Sequence, residues 1–178
     1  VAGRFGHRVV CRSGTSICGN RAPRAPGVGR REVDHGGEEL PAFGYRIDYR
    51  GRSAVLSGDT TFNENLIDHA QGADLVVHEV TAASGTAAES PAQLKRIGSN
   101  HTTPDQAGEV FARIKPKLAV YNHLLLFGGA TPDDLIPATR KRYHGPLLVG
   151  EDLMRFDIGE NIEAQPFRNS EVPSPTRR

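Results

Sequence analysis

Residues 55–63 read V-L-S-G-D-T-T-F-N, and this stretch decides the fold. The apolar run from Ser53 to Leu56 climbs to Ser57-Gly58 and stops at Asp59. A short apolar run closed by glycine and followed by polar residues is the pattern of a buried strand entering a tight turn. Asp59 then lies just past the C-terminal end of a strand, where open α/β sheets gather ligands and catalytic groups. A carboxylate in that position caps the next helix or binds a cation.

The pattern recurs along the chain. Asp74–Val77 is an apolar run that ends at His78-Glu79, and Lys117–Tyr121 is another that ends at Asn122-His123. Ser99-Asn100-His101 precedes a helix start, and Val33-Asp34-His35 closes a short run before a Gly-Gly turn. Parallel neighbouring strands bring their C-terminal ends to one edge. On that arrangement His35, Asp59, His78, Glu79, His101 and His123 converge, and mixed His and Asp donors suit a divalent ion such as zinc. For His35, Asp59 and His123 the competing assignment is a turn or cap hydrogen bond.

The remaining elements follow from period and punctuation. Phe43, Tyr45, Ile47 and Tyr49 alternate with Gly44, Arg46 and Asp48, which predicts a half-buried strand. Arg50-Gly51-Arg52 turns it into the strand that ends at Asp59. A short helix is expected from Asn63 or Glu64 to Gln71, stopped by Gly72. Residues 81–92 are small and polar and read as a loop, followed by a short helix over Pro91–Ile97. Thr103-Pro-Asp-Gln106 is a capping-box helix start, and Ala107, Val110, Phe111 and Ile114 follow at helical spacing. Thr131-Pro-Asp-Asp134 repeats that chemistry for a helix reaching about Tyr143. Residues 146–149 and 153–158 read as closing strands. Strands alternating with helices argue for an α/β fold.

Composition bounds the rest. The 178 residues are one domain's length, and 37% of them are hydrophobic. No apolar run is long enough for a membrane-spanning helix, and no signal peptide opens the chain. Cys11 and Cys18 do not have a common zinc spacing. A cytoplasmic setting without membrane contact is the expectation. Residues 1–31 hold Arg4, Arg8, Arg12, Arg21, Arg24, Arg30 and Arg31 and no acid. Removing those seven charges from the net +1 leaves −6 for the remainder. We read 1–31 as a disordered basic arm, 32–160 as the folded domain and 161–178 as a flexible tail. There is no Gly-x-Gly-x-x-Gly, Walker A loop or Gly-x-Ser-x-Gly elbow, so nucleotide-binding and serine-hydrolase readings lack their carriers.

In order, the chain carries Val33-Asp-His-Gly36, Pro41-Ala-Phe-Gly-Tyr-Arg-Ile47, Ser57-Gly-Asp-Thr60, His78-Glu-Val80, Asn100-His-Thr-Thr103 and Tyr121-Asn-His123. This set resembles the metallo-β-lactamase superfamily of hydrolases, in its ribonuclease Z-like branch, over about residues 32–158. The resemblance implies an αβ/βα sandwich of which only the C-terminal half is present. It implies that His35 and His123 each bind one of two zinc ions, that Asp59 bridges both, and that Glu79 and His101 handle the proton of the leaving group. His78 is left to packing or support. The family's His-x-His-x-Asp-His cluster is absent, so the resemblance implies an incomplete zinc site and a truncated enzyme, weakly active alone, that cleaves a phosphodiester or related ester, with RNA among the candidate substrates. The chain opens on Val, which suggests that natural upstream sequence is absent. The alternative is a non-catalytic half-domain that pairs with itself, as a homodimer, or with a partner through the sheet face its missing half should cover.

Overall fold

The computed structural model describes residues 29–34, 43–85 and 90–167. Most of the expected basic arm, and His35 itself, lie outside the described residues. Among the described residues eight strands and four helices follow in chain order: β1 (Gly29–Asp34), β2 (Phe43–Tyr49), β3 (Arg52–Leu56), α1 (Glu64–His69), β4 (Leu75–Ala83), α2 (Pro91–Asn100), α3 (Pro104–Ile114), β5 (Leu118–Phe127), α4 (Pro132–Thr139), β6 (Leu147–Val149), β7 (Arg155–Ile158) and β8 (Ile162–Gln165). The first six strands form one sheet in the order β1-β2-β3-β4-β5-β6. β1, β2 and β3 pair antiparallel, and β3 through β6 pair parallel. The expected parallel neighbours at 55, 76 and 119 are therefore side by side.

Alternation along the strands divides the core in two. Val55, Val76, Ala119 and Tyr121 face the helices and pack with Leu66 and Ile67 of α1, Val110, Phe111 and Ile114 of α3, and Leu135 of α4. Ala54, Leu75, Val77 and Val120 face the other way, where Met154 and Phe156 cover them. Helices thus cover one face, and among the described residues the small β7–β8 sheet packs on part of the other. Phe111 and Tyr121 are fully buried, and truncating a large aromatic at such a site costs about 3–5 kcal/mol.

The helix starts obey the capping chemistry. Asn63 Oδ1 accepts from the Asn65 N–H at 2.8 Å, and the Thr103 N–H donates to Gln106 Oε1 at 2.9 Å. Gly108 lets α3 approach α4 closely: a Cβ there would lie 2.7 Å from Thr139 O.

Several boundaries differ from expectation. α4 ends at Thr139, short of Tyr143, because the next residues close i→i−3 bonds, Lys141 N to Ala138 O and Arg142 N to Thr139 O, that tighten the chain into a turn. β4 continues through Ala83, so residues 81–83, read as loop, are strand, held by pairing with β5 as far as Phe127. α2 runs on to Asn100. Arg30 and Arg31, read as part of the arm, belong to β1, and Ile162–Gln165, read as tail, pairs with β7. No helix among the described residues is long and apolar enough to cross a membrane.

Candidate metal centre

Four side chains meet at the rim of the parallel strands, each delivered by a different local device. β3 stops at Leu56, and the Ser57 N–H donates to Val77 O at 2.9 Å, which ties the turn to β4. Gly58 then takes φ +69°, and a Cβ at this position would stand 2.4 Å from Phe43 O. Only glycine meets both the backbone angle and the space. The turn presents Asp59, whose carboxylate is largely exposed.

Glu79 comes from within β4. It alternates with Val80, which faces the helices, so its side chain lies on the opposite face, and it is fully buried. Its N–H donates to Ser57 Oγ at 3.0 Å, and its Oε1 accepts from the Thr102 N–H at 2.5 Å. Burial pushes its carboxyl up to about 8; the Thr102 hydrogen bond pulls the other way, and the Asp59 charge adds a little. His78 points to the helix face, with its ring edge-on to Phe111 at 6.0 Å, so it packs in the core and takes no part in the cluster.

His101 follows α2 directly and is fixed by its neighbour. Thr102 is fully buried; its carbonyl accepts from the Thr81 N–H at 2.9 Å, and its hydroxyl donates to Thr60 O at 2.9 Å. One threonine thereby joins β4, the turn after β3 and the connection between α2 and α3.

His123 sits on a β-bulge. Glu79 pairs with Asn122 and Val80 with Leu124, so His123 is the extra residue of β5, and its φ is +43°. Bulges re-aim side chains beside active sites, and a non-glycine residue at positive φ costs about 1–2 kcal/mol. The sequence places His123 at a strand end; in fact the strand continues for four residues beyond it.

Asp59, Glu79, His101 and His123 each offer one ligand atom, and these atoms lie within 4.8 Å of one another. His101 Nδ1 is 3.0 Å from Asp59 Oδ1 and 3.4 Å from Glu79 Oε2. These are ion-pair distances without hydrogen-bond direction, because His101 Nδ1, Glu79 Oε2 and His123 Nδ1 are buried and have no hydrogen-bond partner. Asn122 Oδ1 is also buried without one.

Family comparison agrees with this order of residues. Residues 18–124 match the family described as beta-lactamase superfamily domain. The chain belongs to the metallo-β-lactamase superfamily. Ribonuclease Z of Mycobacterium avium is 32% identical over 120 residues, 66% of this chain and 42% of that protein. Ribonuclease Z of Mycolicibacterium gilvum is 28% identical over 127 residues, 71% of this chain and 44% of that protein. The metallo-beta-lactamase fold protein YhfI of Bacillus subtilis superposes with a TM-score of 0.55 at 14% identity, covering 78% of this chain and 49% of that one. This metallo-β-lactamase superfamily chain therefore spans about half the length of the relatives it matches.

The donor set of this superfamily member fits a metal ion. Asp59 and His123 offer ligand atoms within 4.8 Å of each other, and a tetrahedral zinc with bonds of 2.0–2.2 Å sets its ligand atoms roughly 3.4 Å apart, so a small side-chain movement brings both onto one ion. Buried lone pairs without donors are costly alone, and a shared cation satisfies them together. Sequence reasoning reached all four residues. It missed the support given by Ser57, two residues before Asp59, and by Thr102, next to His101.

Proposed function

We propose that this chain is the C-terminal half of a metal-dependent hydrolase that cleaves a phosphodiester or related ester, with RNA as the leading substrate because its curated relatives are named ribonuclease Z. The observation that carries the reading is the convergence of exposed Asp59 with Glu79, His101 and His123, each of which brings a buried, unpartnered polar atom. Asp59 and His123 would hold zinc, with His35 joining them as the family resemblance implies. When bound, the metal supplies a hydroxide at neutral pH and Lewis-acid stabilisation of the phosphoryl oxygens.

The chain's own residues serve the proton. Asp59 Oδ1 and Glu79 Oε2 lie 3.0 and 3.4 Å from His101 Nδ1, so the two acids set the position of the ring. The opposite ring nitrogen, Nε2, is then free to protonate the departing oxygen. Thr102 orients the pair by fixing Glu79 Oε1 through its N–H. Helices on one sheet face and a small β-hairpin on the other are what half of an αβ/βα sandwich would leave.

Equilibrium dialysis against zinc tests this. Wild type should bind at most one ion per chain, and Asp59→Ala and His123→Ala should each weaken binding at least about tenfold. No binding overturns the metal assignment, and two tightly held ions overturn the reading of an incomplete site.

A second reading has its own support. Tyr45 and Ile47 pair with Leu56 and Ala54 and so share the face away from the helices, where Phe43 is 42% and Tyr45 40% exposed. Such a surface suits association with a second copy or a partner. Sedimentation showing a monodisperse monomer at high concentration argues against the self-association arm.

A further inference from the structure

Beyond the site, β4 and β5 keep pairing as Val80↔Leu124, Thr81↔Leu125, Ala82↔Leu126 and Ala83↔Phe127. Val80, Ala82, Leu124 and Leu126 pack toward the helix-side core. Thr81, Ala83, Leu125 and Phe127 therefore stand on the other face, the one that carries Glu79; Thr81 is itself buried, so the open rungs are Ala83, Leu125 and Phe127. From Glu79 to Ala83 this ledge runs four residues, roughly 13 Å. None of its four side chains is charged. The β4 side is small, the β5 side is large, and Phe127 at the far end is 40% exposed.

The ledge is rigid. Thr81 Oγ1 donates to Leu125 O at 3.0 Å, and Ser84 closes the end with its N–H to Phe127 O at 3.0 Å and its hydroxyl to Gly128 O at 3.0 Å. At the site end, the Thr81 N–H is engaged by Thr102 O, which closes the β4 edge past the end of β3.

We propose that this ledge is a subsite for the nucleobase of a nucleoside phosphate ester, with Phe127 as the stacking residue and Leu125 as the wall nearest the metal centre. The proposal rests on the hydrolase reading above and adds the substrate's recognition element. Three features favour a planar aromatic group of the substrate over other occupants. The ledge is continuous with the site on the same two strands. It begins about 7 Å from His123 at Leu125 and ends about 13 Å away at Phe127, the span of one nucleoside. An uncharged floor with one half-exposed ring offers stacking without base-edge hydrogen bonds, so it accepts any base.

The test compares adenosine 5′-monophosphate with ribose 5-phosphate, which differ only in the base, by NMR titration of the full chain with zinc present. Stacking of one base on an aromatic side chain is worth about 1–3 kcal/mol, or roughly 5- to 150-fold in affinity. Wild type should bind the nucleotide about tenfold more tightly than the sugar phosphate. Phe127→Ala should cut that ratio below about threefold and leave ribose 5-phosphate binding unchanged, which also reports that the variant is folded; Phe127→Leu should fall between. Equal binding of the two ligands by wild type, or an unchanged ratio in Phe127→Ala, overturns the ledge while the metal reading stands. Binding of neither ligand by zinc-loaded protein overturns the ledge, whereas absence of zinc binding in the dialysis overturns the hydrolase reading it rests on.

Discussion

Replacing Glu79 by glutamine removes one titrating group and keeps an acceptor for the Thr102 N–H. The Glu79 carboxyl is raised from 4.5 to about 8 in the folded protein, chiefly by burial. A raised acid binds its proton more tightly folded than unfolded. Its contribution to stability is therefore complete below about 4.5, declines as pH rises through the interval, and is gone above about 8. At about 1.4 kcal/mol per unit, the ceiling is about 5 kcal/mol; water penetration on charging lowers the expected loss to about 2–4 kcal/mol. Urea unfolding at pH 5 and pH 9 in the presence of a chelator measures it. Wild type should lose that much more stability over the interval than E79Q, since the other titrating groups are common to both. Zinc added at pH 9 should restore wild type more than the variant, because the cation favours the ionised carboxylate. Equal pH slopes in the two proteins would show that the buried carboxyl is not proton-linked to folding, and the reasoning from its burial fails.

Other substitutions test the framework of the site. Gly58→Ala should cost about 2–4 kcal/mol in urea unfolding, because φ is +69° and the new Cβ would stand 2.4 Å from Phe43 O; zinc affinity should fall with it, as this turn carries Asp59. Gly108→Ala gains about 1 kcal/mol of helix propensity but sets a methyl 2.7 Å from Thr139 O, so a net loss of about 1–3 kcal/mol is expected. Tyr121→Phe removes the 2.7 Å hydrogen bond to Thr139 Oγ1 in the core between β5 and α4, and its unfolding midpoint should report a loss of about 1 kcal/mol.

What was legible in the sequence was local. The runs ending at Leu56, Val77 and Tyr121 carry their own strand signal, and Thr103-Pro-Asp-Gln106 carries its own helix start. Three separate polar endings pointed to one rim, and Asp59, Glu79, His101 and His123 do meet there. What was not legible depends on partners. Thr81-Ala-Ala83 has no strand signal of its own and is strand only because β5 pairs with it. Ile162–Gln165 is likewise strand only through its pairing with β7. The bulge at His123 is a mismatch between two strands, so neither strand's sequence announces it. His35, which the motif order also singled out, lies outside the described residues.

The extra residue in β5 has a consequence for how this protein could change over time. Without the skipped rung at His123, Leu124 and Leu126 would swing away from the helices, and Leu125 and Phe127 would turn inward. The aim of one imidazole and the seating of two core leucines are thus a single decision of the backbone. A lineage with no use for the imidazole would still have reason to retain the kink, because the core leucines depend on it.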